Sequence, residues 1–410
     1  MKRTVVITGI GIISPLGTGK DIFWDALFHG RTEFSPITLF DTSQYRVHVA
    51  GEIRDFDPVQ FLGKKGLREL DRSTRLLSAA AKLALEDGDL EITDRNAPSA
   101  GVSIGTTFGS LHSIFQFDRA GLLEGPRLVN PSHFPNTVIN SPASRVSIRF
   151  KIKGFNTTIS TGFCASLDAV SYASDFIRLN RADIVLSGGV EELCEETFLG
   201  FAKLGYLSGS DNSEPCCCPF DNRRNGIILS EGAGIIVLED EDHAVKRGAA
   251  ILAKILGYGN VFDSSRDRAF TNTGQGLKKA IANALRESSL SYHDIQYISA
   301  SANSTRGLDT METAVIKDIF GERAFSIPVS SIKSMVGETY SASGALALAA
   351  SVGTIQRGII PPTVNYREKD PSCDLDYVPN EARAEKINNI LVISSDPYGN
   401  NSAIIVGKYE

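Results

Sequence analysis

The chain has 410 residues, too many for one small core. With 42% apolar and 22% charged side chains it has the balance of an ordinary globular protein built from two domains or two similar halves. Its 42 basic and 48 acidic residues leave a net charge of −6, no overall field for nucleic acid or anionic lipid, so no nucleic-acid partner is expected and an acidic partner needs a local basic patch. No stretch reaches the roughly 20 apolar residues of a membrane span, and the opening apolar run meets a Gly-rich turn too soon for a secretion signal. The six cysteines, at 164, 194, 216, 217, 218 and 373, are too few and too irregular for a disulfide framework; a reducing, cytoplasmic setting and no metal are expected.

In chain order, apolar runs at Thr4–Ile7, Gly101–Ile104, Ile184–Leu186, Gly234–Leu238, Ile251–Tyr258, Tyr297–Ser299, Ile327–Val329, Ile390–Ser394 and Ala403–Val406 read as strands. Helical stretches separate them, the rhythm of an α/β fold. Gly9 and Gly11 make a poor dinucleotide fingerprint, since Ser14 stands where the third glycine belongs. The best division lies near Gly257–Val261, giving halves 1–257 and 258–410. Two segments look alike across it. Phe163–Arg181 is a small-residue turn followed by a helix with Leu167, Val170, Ala173, Phe176 and Ile177 on one face. Ser341–Gln356 is a Gly/Ala/Ser-rich helix, apolar nearly all round, which requires burial and close backbone packing. A weak internal duplication follows.

The segment carrying chemistry is Thr157–Val170, with Cys164 between a strand and a helix start. Unpaired backbone N–H groups and the helix dipole there favour a thiolate, the mark of a nucleophile. A small buried hydrophobe is the other reading of the same position.

This segment resembles the nucleophile loop of β-ketoacyl-acyl carrier protein synthases, particularly those of type II fatty acid and aromatic polyketide systems. The resemblance runs in order along nearly the whole chain: Val5–Gly17, Asn130-Pro131, Asn140, Pro219-Phe220-Asp221 with Arg224-Asn225-Gly226, Glu231–Gly234 and Ser331–Gly337. It implies a thiolase fold, two similar halves in five layers (αβαβα) with mixed sheets, dimerised through strands near the nucleophile with itself or with a paralogous synthase. It also implies that an acyl chain, delivered on the phosphopantetheine of acyl carrier protein, is loaded onto the cysteine with no other cofactor, and then condensed with decarboxylating malonyl-carrier protein.

Two histidines of the resembled family are replaced. Where Ala-His-Gly-Thr is expected the chain reads Ala302-Asn303-Ser304-Thr305, and where Lys-Ser-x-x-Gly-His is expected it reads Lys333-Ser334-Met335-Val336-Gly337-Glu338. The catalytic set by this resemblance is therefore Cys164, Asn303, Glu338 and Lys333. An amide at 303 can still donate to an enolate, whereas an ionised Glu338 places charge where an anion would form, so ordinary condensation is not expected. The mobile Gly-Phe-Gly-Gly-Thr-Asn loop, which gates acyl entry and supplies an oxyanion amide, is replaced by Ser394–Ser402, with Asp396, Pro397, Tyr398 and Gly399 at its centre. Phe108 and Phe163 fall in the expected acyl tunnel wall, either narrowing it or packing as ordinary core. Lys64, Lys65, Arg68, Arg72 and Arg127 match the carrier-protein docking region, or are simply solvated. Three functions stay open: an acyl-transferring or specialised condensing enzyme acylated on Cys164, a chain-length-factor-like partner of a histidine-bearing synthase, and a plain elongating synthase.

Overall fold

Strand β1 (Val5–Ser14) is buried at all ten positions, the pattern of a strand covered on both faces at the middle of a sheet. In the computed structural model, which describes residues 3–265 and 273–410, β1 joins two half-sheets. The remaining principal strands are β2 (Ala100–Gly105), β3 (Asn156–Ile159), β4 (Ile184–Glu191), β5 (Gly232–Asp240), β6 (Ala253–Phe262), β7 (Tyr297–Ser299), β8 (Val329–Ser330), β9 (Asn389–Ser395) and β10 (Asn400–Gly407). They run in the order β8-β7-β9-β10-β6-β1-β5-β4-β2-β3.

Read outward from the centre, the two halves repeat. β1-β5-β4 and β6-β10-β9 are antiparallel, and β4-β2-β3 and β9-β7-β8 are parallel. Within the sheet, the two half-sheets are joined where Val5–Ile7 pairs with Ala253–Ile255.

The glycines show the same duplication. A Cβ on Gly9 or Gly11 would meet the carbonyl oxygen of Ala84 at 2.3 Å or of Ala80 at 1.9 Å, so these glycines let helix α1 (Arg72–Asp87) lie directly on β1. In the second half a Cβ on Gly257 or Gly259 would meet the oxygen of Ala284 at 2.5 Å or of Ala280 at 2.2 Å, seating helix α4 (Gln275–Ser288) on β6. The Gly9/Gly11 pair is thus a packing device, and a side chain at any of the four positions would force the helix off its sheet. The second half as read from the sequence includes residues 266–272, which lie outside the described residues.

Helices α2 (Leu111–Leu123), α3 (Ala165–Arg178), α5 (Arg306–Phe320) and α6 (Ser343–Arg357) complete the frame used below. α3 and α6 pack on each other and on strands of both half-sheets, forming the middle layer. α1 covers the first half-sheet from outside, and α4, with α5 packed beside it, covers the second, which makes five layers. A Cβ on Gly344 would meet Leu167 Cγ at 2.6 Å, the close helix contact expected of small-residue helices. Leu167, Val170, Ala173 and Ile177 share one core with Leu346, Leu348 and Val352. All nine strands read from the sequence are present; β3, with the polar run Asn156-Thr157-Thr158, carries no apolar signal and emerges only from its parallel pairing with β2.

Candidate active site

β3 and α3 are joined by a short turn that presents Cys164. Gly162 takes φ +60°, and a Cβ there would meet Asp396 Oδ2 at 1.8 Å, so only glycine lets the Asp396 loop close on the turn. Cys164 caps α3, is completely buried, and its thiol donates to the carbonyl of Ser394 at 3.3 Å. Its backbone N–H is bonded to the Thr161 carbonyl at 3.2 Å. The expectation of a thiol drawn down by the helix terminus is corrected here. Burial, and after it the carboxylates of Asp168 and Asp396, push the Cys164 thiol well above its ordinary value, outweighing the charge of Lys333.

Asn303, Lys333 and Glu338 form one buried network. Glu338 Oε2 accepts from Lys333 Nζ at 2.8 Å and Asn303 Nδ2 at 3.0 Å; Oε1 accepts from Ser343 Oγ at 2.7 Å and the Tyr340 N–H at 3.1 Å. Four donors fill the acceptor sites of the two carboxylate oxygens. The Asn303 carbonyl is held in turn by Thr305, through Oγ1 at 2.8 Å and N–H at 3.3 Å. Asn303 and Glu338 are therefore committed to each other and to the scaffold. Lys333 spans the gap to the nucleophile turn, its ammonium 6.0 Å from the centre of the Phe163 ring. The space between Ser301, Lys333, Ser343 and Ser394 amounts to about 10 Å³, room for at most one water.

Two carboxylates on α5 that the sequence reading missed hold the segment carrying Asn303. Asp309 accepts the N–H groups of Asn303 and Phe220, and Glu312 those of Ser301 and Ala302. Burial raises Asp309 to about 6 and Glu312 to about 8. Their spacing on a helix facing a polar loop was the available signal. The Arg224 of the Arg-Asn-Gly motif is likewise structural: fully buried, it bonds Asp370 at 2.6 Å.

The Ser394–Ser402 loop is tied shut by its own bonds. The Asp396 carboxylate is buried and accepts from the N–H groups of Tyr398 at 2.8 Å and Asn400 at 2.9 Å and from Asn400 Nδ2 at 2.9 Å. Burial raises its pKa. Pro397 carries no N–H to offer an oxyanion. Gly399 has φ +106°, and Tyr398 is 42% exposed.

Beside the turn lies an aromatic cluster. Phe163 is buried against Tyr340 at 5.6 Å and Phe201 at 6.3 Å between ring centres, and Phe108, half-buried, meets Tyr340 edge-on at 5.7 Å. Tyr340, which the sequence reading did not single out, is the hub. It is fully buried at φ +47°, a conformation its backbone bond to Glu338 helps to hold.

Among the cations, Lys64, Lys65, Arg68 and Arg127 are exposed. Arg72 differs from these four: its Nε and Nη2 are turned inward, bidentate on buried Glu231 at 2.5 and 2.7 Å with a third bond to the Ile53 carbonyl, and the side chain is 29% exposed, so most of its donors serve the scaffold. All six histidines are described; five are exposed and His243 is bonded to Glu239, so none enters the site.

Two duplicated half-sheets around a buried helix pair, with a cysteine at the start of one of those helices, define a thiolase-fold protein. The chain belongs to the β-ketoacyl synthase family: residues 2–244 match the β-ketoacyl synthase N-terminal domain and residues 252–367 the C-terminal domain. It is 37% identical over 409 residues to the 3-oxoacyl-[acyl-carrier-protein] synthase 2 of Coxiella burnetii, covering 99% of both chains. It is also 37% identical over 422 residues to the tetracenomycin polyketide synthase ketoacyl synthase alpha subunit of Streptomyces glaucescens, covering 99% of this chain and 97% of that one. Among solved structures, the ishigamide ketosynthase/chain length factor matches with a TM-score of 0.93 at 33% identity over the whole of both chains. A type II polyketide ketosynthase in complex with its acyl-carrier protein matches at 0.92 and 31%, again over both whole chains.

Proposed function

We propose that this chain is a non-condensing subunit of fatty acid or polyketide-type synthesis, a chain-length-factor-like partner of a histidine-bearing ketosynthase in the cytoplasm. The observation that carries the reading is Glu338, a carboxylate filled by four donors where a condensing enzyme holds an imidazole. Decarboxylation needs donors aimed at a developing enolate, and an anion with Asn303 as its dependent offers none. The closed Asp396 loop, Pro397 and the raised Cys164 thiol argue the same way.

A partner surface is available. β3 is the outer strand of the first half-sheet, with one side of its ladder unpaired, and α2 buries none of its residues. Leu122 (85% exposed), Leu123 (73%), Leu128 (68%) and Ile148 (71%) lie uncovered in the same half. A ketosynthase pairing along β3 would cover such an edge. Exposed Lys64, Lys65, Arg68 and Arg127 are the residues proposed to meet acyl carrier protein.

A second reading, in which Cys164 accepts an acyl group from acyl-carrier protein and passes it on, is favoured by one observation: the thiol is retained at the start of α3. The two separate cleanly. In a co-purified complex with a histidine-bearing ketosynthase, product formation is expected to survive Cys164→Ala in this chain; loss of product with the complex intact would give the role to the thiol.

A further inference from the structure

Pro215–Pro219 carries three consecutive cysteines that the site described above does not use. Cys217 and Cys218 are buried, with Cys217 donating to the Lys333 carbonyl at 3.0 Å and the Cys218 sulfur 3.8 Å from Ser304 Oγ. Cys216 differs. It is half-buried where its two neighbours are buried, and with Cys217 it lines a pocket of about 520 Å³ to which Arg223, Arg367, Glu214, Asn225 and Asn365 also contribute. Its backbone is pinned on both sides, the N–H to Ser208 Oγ at 2.8 Å and the carbonyl by Ser208 and Ser304 at 3.0 and 3.3 Å. Arg367 is exposed at the pocket, while Arg223 is held by Asp221 and the Asn365 carbonyl.

We infer that Cys216 is a thiol-modification site that exchanges with low-molecular-weight disulfides bearing carboxylates, ahead of Cys164. The pocket supplies what such a reagent needs: a half-buried cysteine on a fixed backbone and guanidinium charge beside it. In the step, the Cys216 thiolate attacks one sulfur of the reagent R–S–S–R; that S–S bond breaks, a Cys216–S–S–R bond forms, and R–S⁻ leaves, so no further oxidant is consumed.

The electrostatics agree with the geometry. A hydrogen bond from the Cys218 thiol, first, and then Arg223 and Arg367 draw the Cys216 thiol down, against burial and Asp221. Burial holds up the thiols of Cys164, Cys194, Cys217 and Cys373, that of Cys194 to about 12, and at Cys218 the hydrogen bond with Cys216 does so first and burial second. Modification at Cys216 would sit one residue from Cys217, whose thiol holds Lys333 of the buried network.

The test uses the full chain and oxidised glutathione at neutral pH, followed by intact mass and peptide mapping under non-reducing conditions. One adduct is expected, on the peptide carrying Cys216; it should persist in Cys164→Ala and vanish in Cys216→Ser. Arg367→Gln is expected to slow the reaction with oxidised glutathione several-fold and to leave the rate with uncharged hydroxyethyl disulfide unchanged. An adduct that forms first on Cys164, one that persists in Cys216→Ser, or none at all would overturn the assignment. The wild-type peptide map decides even if a cysteine variant fails to fold. None of these readings depends on whether the chain condenses acyl groups.

Discussion

Lys333→Met is expected to lower folding stability by about 3–5 kcal/mol, the cost of stranding one partner of a buried ion pair. Lys333 and Glu338 are 7% and 1% exposed, and the 2.8 Å contact between them is the only full positive charge bonded to that carboxylate among the described residues. Removing the ammonium leaves Glu338 with three neutral donors in a site closed to water. The expected compensation is specific: in Lys333→Met/Glu338→Gln the amide needs no counter-charge, and more than half of the loss should return. Denaturant unfolding of the two variants checks this. A single-variant loss below about 1 kcal/mol, the range of exposed pairs, would mean that the pair is solvated and the network is not closed.

Tyr340→Ala is expected to cost about 3–5 kcal/mol by emptying the hub of the aromatic cluster. It should also have a chemical consequence that simple destabilisation does not. The Tyr340 ring packs on Phe163, the residue before Cys164, and on Phe108 and Phe201, so its removal opens apolar space beside the thiol. Cys164, which is expected to resist an uncharged alkylating reagent in the native protein, should become modified in Tyr340→Ala under conditions where that variant remains folded. If Cys164 reacts equally in both proteins, the cluster does not control access to it.

These effects mark where the sequence could be read and where it could not. Apolar runs are local, so the strands were legible, and the small-residue helices of 163–181 and 341–356 carried the duplication, although the purpose of Gly9 and Gly11 required the helix that lies on them. The absence of histidine from Ala302–Thr305 and Lys333–Glu338 was legible by position. Its consequence was not, because the four donors to Glu338 come from residues 303, 333, 340 and 343, and only the fold shows all of them pointing at one carboxylate.

Two expectations failed for physical reasons of the same kind. A helix terminus lowers a thiol pKa when water is near, but complete burial with two neighbouring carboxylates reverses the sign at Cys164. A basic residue at the start of a surface helix reads as solvated or docking, yet Arg72 satisfies Glu231, a carboxylate 159 positions away that is buried on β5's approach. Tyr340 gave no signal beyond its place two residues after Glu338, since its left-handed backbone is a property of the folded turn.

The most direct measurement is carbon dioxide release from malonyl-acyl carrier protein by the purified chain, alone and without a partner subunit. A pocket closed around Glu338, Lys333 and Asn303 predicts release no faster than the protein-free blank, with or without an acyl-carrier protein as primer. Release above the blank that disappears in Glu338→Gln or Asn303→Ala would contradict it, because it would show those side chains serving the enolate.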